Sequence, residues 1–256
     1  MSASGNQLVL IHGFTGRADV WNEVITALAS TCPCIAIDLP GHGHKAELAI
    51  PDSFTFAGVV ENIAGELANV NIGHYNLWGY SLGGRIALQF ALKYPDRVRR
   101  LILESTSPGL AESAERESRL HSDELLAERI ESHGLESFVD YWVNLPLFAS
   151  QKLLPAERQA LARRLRLLGT AKGYAAALRG FSVGRQLPLH NRLRELAMPV
   201  LIITGELDQK YRQFGELMAH SIPNAQLRII PGAGHAPHWE RPVETATIAA
   251  EFISSS

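Results

Sequence analysis

Short apolar runs recur along the chain, each bounded by glycine or proline: Leu8 to Ile11, Cys34 to Ile37, Tyr75 to Trp78, Val98 to Leu103, Val200 to Thr204 and Leu227 to Ile230. Apolar on both faces, these runs predict strands covered by other structure on either side. Stretches with helical spacing separate them, among them Ala18 to Ala29, Thr55 to Ala68 and Leu82 to Lys93. Strand and helix in alternation predict an α/β domain whose sheet is mostly parallel, with right-handed crossovers. The rhythm breaks between Ser105 and Met198, where only helix-prone sequence occurs, such as Ala114 to Ser132 and Pro155 to Leu168. That gap is too long for a plain loop and predicts a helical lid insertion over residues 109–190, carried above a core made of 1–108 and 191–256. No repeat, low-complexity tract or Pro/Ser-rich linker sets the insertion apart as a separate unit.

The strongest chemical signal is Gly79-Tyr80-Ser81-Leu82-Gly83, a G-x-S-x-G that directly follows one apolar run and directly precedes a helix. In such an elbow the serine sits in a strained turn with its hydroxyl above the sheet, and the N–H of Leu82 at the helix start can face a developing oxyanion. A capping serine in a glycine-rich turn would read the same locally; the strand and helix on either side favour a catalytic elbow.

A serine hydroxyl needs an imidazole to take its proton, and the imidazole needs a carboxylate to fix its tautomer. Both occur downstream, each just past the carboxyl end of a strand: Asp208 in Gly205-Glu206-Leu207-Asp208, and His235 in Gly232-Ala233-Gly234-His235. Glu206 competes with Asp208 but stands nearer the strand, whereas Asp208 clears the turn. His238 competes with His235 and is expected to start the next helix or to line the rim beside Trp239. His42 and His44, in Asp38-Leu39-Pro40-Gly41-His42-Gly43-His44, belong to a turn expected to be structural, with pocket lining as the alternative.

The loop after the first strand reads His12-Gly13-Phe14-Thr15-Gly16, and the N–H of Phe14 is the expected second oxyanion donor. Arg85 lies four residues beyond Ser81 on the helix that the elbow opens, so its guanidinium can reach the space over the serine. An arginine there points to a carboxylate in the ligand, held bidentately. Arg116 and Arg119 begin the insertion near the sheet edge and are candidates for the same task. The cations of the second half of the insertion, Lys152, Arg158, Arg163, Arg164, Arg166, Lys172, Arg179 and Arg185, are expected mostly to form a solvated face. Trp142, with Tyr141 and Phe148, fits the core of the insertion or a pocket wall, core being the default for such a cluster.

Composition narrows the field. The chain has 256 residues, 46% hydrophobic and 20% charged, with 24 basic against 26 acidic side chains, so no basic field invites nucleic acid or an anionic membrane. Its two cysteines, Cys32 and Cys34, are too close together to staple a fold, which fits a reducing cytoplasm. No uncharged apolar run approaches the roughly 18 residues needed to span a bilayer, and Met1 to Gln7 is polar, unlike a signal peptide. No metal or nucleotide cofactor is expected: the histidines lack H-E-x-x-H spacing, and no phosphate-cradling glycine motif appears.

Over nearly its whole length the chain resembles the α/β-hydrolase superfamily, in HGFTG at His12, DLPGHG at Asp38, GYSLGGR at Gly79, GELDQKYR at Gly205 and GAGHAPHWERP at Gly232. The arginine after GYSLGG, and the SPGL segment followed by Arg116 and Arg119, resemble more narrowly the pyruvate-eliminating synthases of menaquinone biosynthesis. The resemblance implies a lyase that removes pyruvate from a succinyl-enolpyruvyl-hydroxycyclohexene carboxylate. It implies Ser81, His235 and Asp208 as the proton-abstracting triad, Phe14 and Leu82 as oxyanion donors, and Arg85, Arg119, Tyr80 and Trp142 as substrate contacts. The short stretch before the first strand departs from larger relatives and leaves no room for their antiparallel hairpin. A hydrolase using the same triad on esters, or on carbon-carbon bonds beside a ketone, is the competing expectation, and a ligand-binding protein on a hydrolase scaffold a third. The expected partner is a small polycarboxylate; oligomeric state is not legible.

Overall fold

The computed structural model of the chain describes residues 6–47, 54–70 and 73–255; most of the polar stretch Met1 to Gln7 lies outside them. Six strands are described: β1 (Leu8–Ile11), β2 (Cys34–Ile37), β3 (Tyr75–Tyr80), β4 (Val98–Glu104), β5 (Val200–Gly205) and β6 (Ala225–Ile230). The helices are α1 (Asn22–Leu28), α2 (Phe56–Asn69), α3 (Leu82–Lys93), α4 (Ser113–Trp142), α5 (Ala156–Leu167), α6 (Ala171–Phe181), α7 (Gln209–Ser221), α8 (Pro237–Glu240) and α9 (Pro242–Ser254).

The strands form one sheet in the order β2-β1-β3-β4-β5-β6, and every neighbouring pair is parallel. Because side chains alternate along a strand, each strand feeds two cores. Leu8, Leu10, Trp78, Ile102 and Leu201 pack on one face against Val24 and Leu28 of α1 and Ala249 and Phe252 of α9. Val9, Ile11, Leu77, Leu103 and Ile202 pack on the other against α2, α3 and α7. Each fully buried aliphatic side chain there contributes about 1.5–3 kcal/mol. Cover on both faces is nearly complete for the four inner strands, Arg99 and Arg100 at the start of β4 excepted, and fails at the edges. There β2 is only partly buried, and β6 shows Gln226, Arg228 and Ile229 to solvent, because an edge strand has a neighbour on one side only.

Register brings the carboxyl ends level: Ile11 lies opposite Gly79, Tyr80 opposite Glu104, and Glu104 opposite Ile203. The residues just past these ends therefore share one edge of the sheet.

Between β4 and β5 the chain makes α4, α5 and α6 and no strand. The helix expected to end at Ser132 resumes after a break at Gly134, whose φ of 81° lies in the left-handed region, and runs on to Trp142. The insertion has its own apolar centre, with Ala127, Ile130, Phe138, Val139, Tyr174 and Leu178, and Phe14 from the loop after β1 packs into it. No helix among the described residues is long and apolar enough to cross a membrane.

Candidate active site

The turn from β3 to α3 holds Ser81 at φ 51° and ψ −109°, a conformation that L residues adopt only when their surroundings enforce it. Two glycines make the crowding possible. A Cβ on Gly79 would run into the Gly83 carbonyl, and one on Gly83 into the Ile11 carbonyl. Ser81 is tied on both sides, its N–H donating to the Glu104 carbonyl at 2.8 Å and its own carbonyl accepting from Thr106 Oγ1 at 2.8 Å.

The Ser81 hydroxyl donates to His235 Nε2 at 3.1 Å, and His235 Nδ1–H donates to Asp208 Oδ2 at 2.7 Å. Asp208 and His235 are both buried. Asp208 caps α7, its Oδ1 accepting from the Tyr211 N–H at 3.2 Å, which holds the carboxylate in the turn after β5. The competing acid faces elsewhere: Glu206 is exposed and accepts from the Gly232 N–H at 2.8 Å. His238, the competing imidazole, is buried in α8 and paired with Glu104.

The backbone N–H groups of Phe14 and Leu82 make no hydrogen bond to any described residue, leaving both available to an oxyanion. Two buried histidines shape the Phe14 loop. His12 Nδ1–H donates to the Gly13 carbonyl at 2.8 Å while Nε2 accepts from the Leu39 N–H at 3.0 Å. His42 Nδ1–H donates to the Pro40 carbonyl at 3.0 Å while Nε2 accepts from the Thr15 N–H at 3.2 Å. Each acceptor role requires a neutral ring, and burial pushes their pKa down, to about 4 for His12 and about 3 for His42. His42 thus supports the oxyanion loop from behind, which agrees with its expected structural role.

A cavity of about 280 Å³ opens over Ser81 and His235. Tyr80, Leu82, Arg85, Arg119 and Trp142 line it, as do Lys210, Tyr211, Phe148 and Phe214. Arg85 reaches the cavity from α3, one Nη donating to the Phe181 carbonyl at 3.0 Å. Burial lowers its pKa to about 10, so it remains a cation at neutral pH. Arg119 is oriented by Asp123, Nε donating to Oδ1 at 2.8 Å. Arg116 is not brought into the cavity. Its guanidinium donates to the carbonyls of Leu110, at 2.9 Å, and Ala111, at 2.6 Å, closing the turn that precedes α4. Trp142 serves both readings made of it, packed against Phe14 with ring centroids 5.1 Å apart while also lining the cavity.

Lys210, Tyr211, Asp123 and Arg166 are not expected at the site from the sequence. Lys210 and Tyr211 stand two and three residues past Asp208, and the Tyr211 ring centroid lies 4.4 Å from that of His235. The cation run divides: Arg163 pairs with Asp140 and Glu136, and Arg179 with Glu124 and Glu131, on the outside of the insertion. Arg166 instead lies over the Phe148 ring, its buried Nε without a partner among the described residues, and lines a second, smaller cavity shared with Phe14, Tyr80 and His238. A signal existed: Arg158, Ala162 and Arg166 fall four apart on one face of α5, and Ala162 is buried. Among the described residues no group of three or more His, Cys, Asp or Glu side chains could hold a metal ion.

Elbow, relay and sheet order together define an α/β hydrolase, and the family model described as alpha/beta hydrolase fold matches residues 6–242. The 2-succinyl-6-hydroxy-2,4-cyclohexadiene-1-carboxylate synthase of Klebsiella pneumoniae is 36% identical, over 97% of this chain and 94% of its own length. The synthase of the same name from Enterobacter sp. is 36% identical over 96% and 91%. The solved structure of MenH from S. aureus superposes with a TM-score of 0.93 at 35% identity, covering 97% of this chain and 93% of that one. Within the α/β hydrolases, this chain belongs to the family of the 2-succinyl-6-hydroxy-2,4-cyclohexadiene-1-carboxylate synthases.

Proposed function

We propose that the protein is a carbon-oxygen lyase of menaquinone biosynthesis, which eliminates pyruvate from 2-succinyl-5-enolpyruvyl-6-hydroxy-3-cyclohexene-1-carboxylate. The product is 2-succinyl-6-hydroxy-2,4-cyclohexadiene-1-carboxylate. One observation carries the reading beyond membership of the family. The guanidiniums of Arg85 and Arg119 enter the same cavity as the Ser81 hydroxyl, which suits a substrate with several carboxylates better than a neutral ester.

In this reading Ser81 acts as a base. As its hydroxyl proton passes to His235 Nε2, Oγ takes the proton from the ring carbon that bears the succinyl group, and Asp208 holds the imidazolium that forms. The enolate oxygen of the succinyl ketone gathers charge between the N–H groups of Phe14 and Leu82. A double bond forms at the deprotonated carbon, the ring double bond shifts, the C–O bond to the enolpyruvyl group breaks, and the released enolate takes up a proton to become pyruvate. Arg85 and Arg119 hold substrate carboxylates, Tyr80 and Trp142 wall the ring, and Lys210 adds positive charge beside the triad. Arg116 serves the turn before α4.

Residues 109–190 form the lid over a core of 1–108 and 191–256. A cytoplasmic location accords with the free thiols of Cys32 and Cys34. The test is to offer the purified protein the succinyl-enolpyruvyl acid and a p-nitrophenyl ester side by side. Fast pyruvate release with negligible ester cleavage is expected; the reverse would make the protein a serine hydrolase.

A further inference from the structure

Glu104 is a fully buried carboxylate at the end of β4, and among the described residues it has no arginine or lysine as an ion-pair partner. Burying such a group costs several kcal/mol unless every lone pair is used. Here they are used in a particular way. Oε1 accepts from both the backbone N–H of His238, at 2.9 Å, and its Nδ1–H, at 2.7 Å; Oε2 accepts from Trp78 Nε1–H at 2.9 Å. The main-chain carbonyl of the same residue accepts the Ser81 N–H at 2.8 Å. One residue therefore holds both the turn that carries the serine and the segment that carries the imidazole. The His238 ring is wedged between Trp21 and Tyr80, with centroids 4.4 and 4.5 Å away, and the Tyr80 ring lies in turn 5.4 Å from that of His235. The segment is further gripped by Glu240, which accepts the N–H groups of Gly234, at 2.7 Å, and Ala236, at 3.2 Å, on either side of His235.

We propose that Glu104, through His238, is a positioning residue that sets the distance between Ser81 Oγ and His235 Nε2. It touches no substrate. The proposal rests on the Ser81–His235–Asp208 reading but not on the identity of the substrate, so its test uses a reaction that reports the hydroxyl–imidazole pair alone. A fluorophosphonate probe forms a bond from Ser81 Oγ to phosphorus, expels fluoride, and sends the hydroxyl proton to His235.

Glu104→Asp keeps the charge but shortens its reach by roughly 1.5 Å. Labelling of Ser81, counted per folded molecule by circular dichroism, is expected to slow about 10- to 100-fold, since a misplacement near 1 Å costs about that much. In pyruvate release kcat should fall with KM changed less than about twofold, because the guanidiniums that bind substrate are untouched. Glu104→Gln, which keeps the length and an acceptor for His238, should retain more of the rate than Glu104→Asp. Should Glu104→Asp fail to fold, His238→Gln reads the same link from the other end. Labelling of Glu104→Asp, or of His238→Gln in its place, within about twofold of wild type overturns the proposal, as does a loss that appears in KM alone. A wild-type chain that the probe leaves unlabelled overturns the Ser81–His235 reading itself, and the proposal with it.

Discussion

Two imidazoles three residues apart, His235 and His238, each pair through Nδ1 with a carboxylate at 2.7 Å, yet they serve different parts of the fold. His235 presents Nε2 to the Ser81 hydroxyl at the floor of the cavity, and its acid caps a helix that begins at the rim. His238 is stacked between aromatic rings, and its acid ends a strand at the centre of the sheet. The same pair of groups is a proton relay where the second nitrogen meets a serine hydroxyl, and a structural tie where the acid belongs to the strand that holds the elbow. Residue type and burial do not separate these roles; the Ser81 hydroxyl at the second nitrogen of His235 does.

The contrast can be broken most sharply by the acids. Asp208→Asn would leave His235 in the wrong tautomer and is expected to lower kcat about ten-thousand-fold, with a shift in unfolding free energy under about 1 kcal/mol. Steady-state turnover with a urea titration checks both halves. His238→Ala should instead show in stability first: it removes one of the three hydrogen bonds to the buried Glu104 carboxylate and the ring between Trp21 and Tyr80, costing about 3–5 kcal/mol, with kcat lowered about 10- to 100-fold. A urea midpoint close to wild type would show that the Glu104–His238 tie does not hold the fold.

Arg85→Ala tests the cationic wall rather than the relay. It is expected to cost about 2–4 kcal/mol in kcat/KM for the acidic substrate while leaving fluorophosphonate labelling of Ser81 within a few-fold of wild type. Unchanged pyruvate release would remove the main reason to prefer the lyase.

The smallest expected effect concerns a second pair of buried rings. His12 and His42 are held neutral, with pKa lowered by burial to about 4 and about 3, against 6.5 in the unfolded chain. As pH falls below about 6.5 the unfolded chain takes up protons that the folded chain does not. Stability is therefore full above that value and declines toward pH 4. Between pH 7 and pH 5 each ring accounts for about 2 kcal/mol. His42→Gln, which keeps a neutral side chain, should flatten the dependence of the melting temperature on pH over that range.

Much of this was legible in the sequence because it depends on neighbours along the chain. The strands announced themselves as apolar runs, and the elbow as a serine between glycines that only that turn demands. Asp208 and His235 were marked by their place just past strand ends. What was not legible depends on neighbours across the fold. Glu104 reads as the last residue of a strand, and only the register of β3 against β4 and the return of the chain at His238 reveal its role. Arg116 and Arg119 are three apart on one helix, and nothing local says that one reaches the cavity while the other folds back on Leu110 and Ala111. Arg166 was hidden in a cation run whose remaining members lie mostly outside the insertion's core.

The side chain of Phe14 belongs to the apolar centre of the insertion, while its N–H belongs to the site. Three rings of the roof, those of Phe138, Trp142 and Tyr174, lie 6.2, 5.1 and 5.7 Å from the Phe14 ring, centroid to centroid, so the loop that carries this amide and the helices above it share one packed centre.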